Sequence, residues 1–516
     1  MQRITVVFLL TAAAGAGAVG ITDWLNVNGT NEAVYMRQRE DGHRWTWDIL
    51  QTEVWAWRFA VGVEAEFDHP RRPVYERQYV PDPEGNELVQ RYGRYRDDVF
   101  DVRAGTYDKT LGKGLTLRSY EDRDFGVYQR LDGALGDACI PVAGREWGDV
   151  TALWGRNAWE EEVGEGERKP QKDLVAGGQL TFRPFDFVYV TGSGAQAKVE
   201  NEATQEREEN KLYAYGLGGG WRYFDLYGEY ATRRSYDTQF KEDVRGRGFY
   251  GILSGYLPKS SVSFEYKLYD NLAYAYNNPP PVSVDQYMIT GPTSLAPAEW
   301  GYLVQVSANP LRDVRLRGGY SYADDKVGEQ KVKTQEAEQG SVTLRYDLPW
   351  PVVIEGGYEH LGELNIFGAD KSGDIRRTPS LMVSWTPWND HSFSADFERE
   401  RRTDYTERGQ VFVYNRANAG YTYSSWLGLT LSYEDTDQKA QESVNPWEPP
   451  EIPRVFRNKN NWLWGEVRIT WYSSTFQNHV FTVGYGSRRG GLVCSSGVCK
   501  QEAAFSGLKV ALESSF

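Results

Sequence analysis

A charged segment in the first quarter of the 516-residue chain holds the densest group of side chains that could act on ions or polar solutes. It reads DKTLGKGLTLRSYEDRD, from Asp108 to Asp124. Its candidate residues are Lys109, Lys113, Arg118, Glu121, Asp122, Arg123 and Asp124. Charges of both signs that line a narrow passage discriminate between ions. The GKG triplet is not a phosphate-binding loop, because the GxxxxGK[ST] spacing is missing.

The other side-chain types that carry chemistry are sparse. The chain has five His, and neither GxSxG nor HExxH occurs, so no local motif for a nucleophilic or metal-dependent hydrolase is present. A triad could still be assembled from distant residues. We expect no enzyme activity, no metal and no cofactor. The net charge of −14 disfavours nucleic-acid binding, since phosphates require a basic surface.

The three cysteines fall into two classes. Cys494 and Cys499 belong to CSSGVC, a short loop sequence that favours a local disulfide in an exported protein. Cys139 stands alone, and the sequence predicts no role for it.

Side chains alternate between apolar and polar along many segments of about ten residues. Val262 and Phe264 alternate with Glu265 and Lys267, for example. This period of two indicates β-strands with one apolar and one wet face. Before residue 170 we predict seven strands, at 24–38, 45–56, 59–68, 88–95, 98–107, 130–142 and 148–157. Seventeen more follow, so the total is about 24, within an even range of 20 to 26.

Connections between these segments alternate between short and long. Short turns such as RPFD (183–186) and LPKS (257–260) alternate with long charged stretches such as ENEATQEREENK (200–211). A transmembrane barrel sorts its connections in this way, with short periplasmic turns and long extracellular loops. The sequence thus predicts an all-β protein with a single antiparallel up-and-down barrel over residues 21–516. The mean hydropathy of −0.61 fits a barrel with a wet interior.

Both ends of the chain support export to a membrane. Residues 1–20 have the form of a signal peptide, with Arg3, an apolar run and small residues. Near the other end Leu508, Val510, Leu512 and Phe516 share one parity. This row resembles the C-terminal signal of bacterial outer-membrane barrels, which the barrel-assembly machinery recognises. We therefore expect a bacterial outer-membrane location, with outer-membrane lipids and that machinery as partners.

A narrower resemblance rests on two stretches. The stretch DDVFDVRAGTYDKTLGKGLTLRSYEDRDFGVYQRLDGA and the late GGLVCSSGVC loop, together with the final strand, resemble a family of large Gram-negative outer-membrane barrels of unknown function. The resemblance implies the fold but brings no activity and no functional residues.

The expected function is a porin-like channel for small polar solutes or ions. Residues 108–124 would then fold inward and constrict the lumen, or else form an ordinary extracellular loop. Further lumen candidates are Arg315, Arg317, Glu466 and Arg468, although opposite charges on neighbouring strands also simply stabilise a wet wall. The alternative is a structural barrel that anchors a protein partner at its extracellular loops.

Overall fold

The computed structural model describes most of the chain between residues 25 and 515. The described residues are 25–39, 42, 44–69, 86–122, 127–142, 144–157, 160–162, 168–170, 173–201, 206–237, 242–280, 298–325, 327, 335–367, 370–405, 409–437, 460–474, 477–488, 491–495, 498–502 and 505–515. The proposed signal peptide and Phe516 lie outside them. Within these ranges no helix is long and apolar enough to span a membrane.

Long antiparallel strands account for most of the described residues. The first twelve are β1 (Leu25–Gln38), β2 (Arg44–Ala56), β3 (Phe59–His69), β4 (Asn86–Arg96), β5 (Phe100–Tyr107), β6 (Leu131–Val142), β7 (Arg145–Asn157), β8 (Leu174–Phe185), β9 (Val188–Asn201), β10 (Glu206–Trp221), β11 (Phe224–Asp237) and β12 (Glu242–Leu257). The second twelve are β13 (Ser260–Asp270), β14 (Ala298–Leu311), β15 (Val314–Asp324), β16 (Gln335–Asp347), β17 (Val352–Phe367), β18 (Asp370–Trp388), β19 (His391–Asp404), β20 (Gln410–Tyr423), β21 (Leu427–Thr436), β22 (Asn461–Ser474), β23 (Gln477–Arg488) and β24 (Phe505–Ser515).

The strands form one closed sheet. Each strand pairs with its neighbours in sequence, and β1 pairs with β24 from Thr30 opposite Ser515 to Gln38 opposite Gly507. In the described part of the chain this sheet contains 24 strands. The predicted all-β, up-and-down barrel is confirmed, and so are the seven strands predicted before residue 170. Within this 24-stranded sheet of the described residues, closure leaves no strand edge unpaired, as a membrane requires.

The two faces of the barrel wall differ in chemistry. Outer-face positions carry exposed apolar side chains, such as Val61 and Val63 on β3 and Leu429 and Leu431 on β21. Intervening positions such as Glu64 and Thr430 face the lumen. A closed barrel with an apolar exterior and a polar interior is the form that crosses an outer membrane. The protein is therefore an outer-membrane β-barrel.

Connections at the two barrel ends differ in length. At one end, here called the short-turn end, they hold two to four residues, for example 57–58, 186–187 and 348–351. The other end carries long connections such as 70–85, 108–130 and 271–297.

One predicted long loop is shorter than expected. The charged stretch 200–211 is largely strand, because β9 runs to Asn201 and β10 starts at Glu206. Charged side chains do not interrupt a ladder whose bonds are made by the backbone, so alternating charged residues extend these strands.

The sidedness of the wall can be tested on β21. Leu431→Arg would place a charge on the apolar outer face, and we expect it to lower the free energy of unfolding in lipid vesicles by about 2–4 kcal/mol. Thr430→Arg is the matched control. Its side chain would face the lumen beside Glu466, the cross-strand partner of Thr430, and we expect a much smaller change. Equal losses in the two variants would contradict the assigned faces.

Candidate functional site

A first inward segment, residues 108–121, follows β5 and forms a small hairpin. Lys109–Leu111 pairs with Leu117–Ser119 in antiparallel register. The turn between them uses Gly112 and Gly114, whose φ angles of 60° and 90° lie in the left-handed region. Glycine adopts this conformation without steric cost. The sequence thus builds a tight turn from the two glycines of LGKGL.

Hydrogen bonds attach the first inward segment to the inner face of the barrel wall. The pairs are Gly112 N to Gln179 Oε1 at 2.7 Å, Lys113 N to Glu229 Oε2 at 2.9 Å, and Thr116 Oγ1 with Ser193 Oγ at 2.8 Å. The fit is close, because a Cβ added to Gly112 would lie 2.2 Å from Oε1 of Glu229. The turn therefore lies directly against β8, β9 and β11 inside the lumen.

A second inward segment, residues 271–280, follows β13 and packs on the first. The contacts are Arg118 N to Tyr276 O at 2.8 Å, Asn278 N to Gly114 O at 3.2 Å, Tyr274 OH to Thr116 O at 3.0 Å, and Asn278 Nδ2 to Tyr120 OH at 2.7 Å. Tyr276 also donates from its hydroxyl to Asp173 Oδ2 at 2.5 Å. The two segments form one hydrogen-bonded unit although they lie far apart in sequence.

The unit has an apolar core against the wall. From the segments, Leu111, Leu115, Leu117, Leu272, Tyr274 and Tyr276 are each at most 3% exposed. From the wall come buried inner-face residues that include Leu153, Val175, Leu212 and Ala214. Full burial of one leucine stabilises by about 1.5–3 kcal/mol, so this contact holds the unit firmly on one side of the lumen.

An ionic cluster lies where the first inward segment meets β3. The guanidinium of Arg130 contacts Glu121, and it lies 3.3 Å from Asp108 and 3.6 Å from Glu64. Burial raises the pKa of the Asp108 carboxyl, and Arg130 opposes that shift. Three carboxylates thus surround one guanidinium, and the charge of Arg103 also acts on Asp108.

A cavity of about 650 Å³ separates this cluster from the seam where the barrel closes. Its lining includes Glu121 and Arg130 from the connection after β5, and Glu32 and Glu513 from the wall. Glu32 on β1 lies directly opposite Glu513 on β24. The unit therefore leaves open space beside it on the seam side.

Comparison of the sequence with known families identifies one match. The profile of the Family of unknown function (DUF6029) matches residues 30–287 and 457–516, which together exceed half of the chain. The chain belongs to this family. Both inward segments, β24 and the part of β1 from Thr30 onward lie within the matched DUF6029 residues. No curated protein sequence matches the chain.

Solved structures with a similar fold are distant in sequence. The siderophore receptor PirA of Pseudomonas aeruginosa is 9% identical, with a TM-score of 0.48, over 96% of this chain and 80% of PirA. The P pilus usher (PapC) translocation pore is 8% identical, with a TM-score of 0.46, over 95% and 98% of the two chains. OccK5 (OpdH) of P. aeruginosa is 11% identical, with a TM-score of 0.43, over 71% of this chain and 98% of OccK5.

The charged residues predicted within the first inward segment of this DUF6029 protein make local contacts. Lys109 Nζ lies 2.6 Å from Asp137 Oδ1 on β6. Lys113 Nζ lies 5.4 Å from the ring centroid of Tyr227, and the Arg118 guanidinium lies 4.4 Å from that of Tyr120. Such cation–π contacts orient a charge without neutralising it. The side chain of Asp122 and all of Arg123 and Asp124 lie outside the described residues.

The other predicted lumen residues lie on a different part of the wall. Arg315 and Arg317 face inward on β15 near the short-turn end, and the Arg315 guanidinium lies 3.7 Å from Asp347. Glu466 and Arg468 face inward on β22, where Glu466 accepts a hydrogen bond from Trp464 Nε1 at 3.3 Å. The described partners of Arg315 and Glu466 are therefore wall residues.

The cysteine and C-terminal predictions remain predictions. Cys494 lies opposite Cys499 in a hairpin formed by Gly491–Ser495 and Val498–Glu502. The side chains of both cysteines lie outside the described residues, and among the described residues the structure contains no disulfide. Leu508 and Val510 lie directly opposite Tyr485 and Val483 on the outer face of β23. These two residues and Leu512 therefore lie on the outer face of β24.

Sequence reasoning missed the second inward segment. The stretch NLAYAYNNPP contained a usable signal, since Leu272, Tyr274 and Tyr276 alternate as a strand does. A second signal was the loss of polar residues on the inner face of β10, where Leu212, Ala214 and Gly216 are buried. Apolar side chains on the inner face of a water-filled barrel indicate that another part of the chain covers them.

Proposed function

We propose that this barrel is a channel for small polar solutes or ions, with a lumen narrowed by the two inward segments. The observation that carries the proposal is the packed unit of residues 108–121 and 271–280 on the inner wall of β7–β14. A barrel of 24 strands has a lumen wider than that of a porin. A firmly packed unit on one wall reduces that width without filling the whole lumen.

The chemistry of the inner wall supports passage of polar solutes. The inner face of β15–β22 carries charges of both signs, several of them in pairs. Arg345 Nε lies 2.9 Å from Asp347 Oδ1, and Arg416 contacts Glu398. Arg317 and Arg468 are exposed on the same face. Water-accessible charged side chains favour ions and polar solutes over apolar ones.

The proposal predicts steady single-channel conductance for the purified full-length protein in a planar bilayer. The same preparation, unfolded before reconstitution, serves as the control for contaminating porins. Absence of conductance from protein shown to be folded by its β-sheet circular dichroism would contradict the proposal. That outcome would favour the alternative, a structural barrel that anchors a partner, to be tested by co-purification from the outer membrane.

A further inference from the structure

We propose that the second inward segment positions the first through Asn277, so that the width of the passage depends on both segments. The inference rests on the proposed channel function, which it deepens by naming the residue that holds the constriction in place. Asn277 does not contact a solute in this proposal and is a positioning residue.

The side chain of Asn277 connects the two segments. It is 3% exposed. Its Nδ2 donates to the carbonyl of Leu115 at 2.9 Å and to that of Leu272 at 3.1 Å. Its Oδ1 accepts from the backbone N–H of Tyr274 at 2.9 Å. Three of the four hydrogen-bonding positions of the amide are used, and they tie the turn of the first segment to the backbone of the second.

The turn of the first segment depends on donors from the second. Three consecutive carbonyls, of Gly114, Leu115 and Thr116, accept hydrogen bonds from Asn278 N, Asn277 Nδ2 and Tyr274 OH. Buried carbonyls without a partner cost free energy comparable to a lost hydrogen bond. The docked form of residues 114–116 is therefore favourable only while residues 274–278 are in place.

The second segment has its own attachments to the wall. Arg233 Nη1 on β11 donates to the carbonyl of Asn271 at 3.2 Å, and Tyr269 OH on β13 donates to that of Pro280 at 3.1 Å. Both ends of the segment are thus fixed by strand residues. The first inward segment has wall contacts of its own at Gly112, Lys113 and Thr116, but its carbonyls at 114–116 take their donors from residues 274–278, which therefore position this turn.

The test uses Asn277→Ala and Tyr274→Phe in the full-length protein, with Asn415→Ala as the matched control. Asn415 lies on the outer face of β20, which is turned away from the lumen, and its Nδ2 donates to Asp435. We expect Asn277→Ala to accelerate backbone hydrogen exchange of residues 112–118 by about tenfold. It should also raise the single-channel conductance. Tyr274→Phe removes only the bond to Thr116 and should produce a smaller change in the same direction.

The two readouts separate the inference from the proposed function. Unchanged exchange at residues 112–118 in Asn277→Ala would overturn the positioning role, whether or not the protein conducts. Faster exchange with unchanged conductance in a conducting protein would also overturn the inference, because the segment would then not set the passage. Faster exchange in a protein that never conducts would overturn the channel and, with it, the link between Asn277 and passage width.

Discussion

Replacement of residues 109–119 by a short Gly-Ser linker is expected to raise the single-channel conductance at least about twofold, because a wide barrel loses one of its two inward segments. The hairpin Lys109–Leu111/Leu117–Ser119 and its turn would be gone, while β5 and β6 would still be connected. Conductance in symmetric potassium chloride is the measurement. An unchanged value in a folded variant would show that the first inward segment does not narrow the passage.

The linker variant exposes apolar wall residues, so a milder variant is needed beside it. Gly112→Val with Gly114→Val keeps the chain length but disfavours the left-handed turn, and the new side chains would meet Glu229 and the carbonyl of Asn278. We expect undocking and a conductance between those of the wild type and the linker variant. Gly192→Val, on the outer-face parity of β9 with open space around it, is the control and should leave the conductance unchanged.

The second large effect is expected at Lys267, the buried cation on the inner face of β13. Its side chain is 0% exposed and pairs with Glu299 on β14, which is 7% exposed. Lys267→Met leaves a buried carboxylate without this partner, and we expect a loss of about 3–5 kcal/mol in the free energy of unfolding. Urea unfolding in lipid vesicles, followed by tryptophan fluorescence, measures it.

Two further variants make this test specific. Lys267→Met combined with Glu299→Leu removes both charges and should recover most of the loss, since an apolar replacement of a buried pair is often neutral. Lys211→Met breaks an exposed pair with Glu209 at 3.0 Å on the outer side and should cost at most about 1 kcal/mol. A loss at Lys267 no larger than that at Lys211 would contradict the argument.

The strand count and the two faces could be predicted because they depend on local pattern. Alternation such as Val262, Phe264 against Glu265, Lys267 fixes which side chains share a face, and turn residues fix where each strand ends. The inward position of Lys267 was predictable in this way. Its pairing with Glu299 was not, because that contact depends on the register between β13 and β14 across a long connection.

The candidate site was likewise predictable in its local pattern but not in its long-range contacts. The polar and glycine content of residues 108–124 was enough to predict an inward segment as one possibility. The second inward segment was hidden, because NLAYAYNNPP leads into a Pro-rich stretch that is typical of a surface loop. The second segment acts by donating hydrogen bonds to the buried carbonyls of Gly114, Leu115 and Thr116 in the first segment. No sequence pattern indicates which donors a turn needs when they come from residues far away in the chain.

The chain order of the inward unit has a consequence for the assembly of the barrel. Leu111, Leu115 and Leu117 precede every strand from β6 onward, yet they are buried against β7–β14 and against residues 271–280. Contacts of such large sequence separation form slowly. A partly assembled sheet that ends before β14 therefore carries a leucine-rich hairpin with no site to receive it. The hairpin can dock only after this part of the wall and residues 271–280 have formed, so its docking reports their assembly, and an intermediate stalled before that point exposes apolar surface.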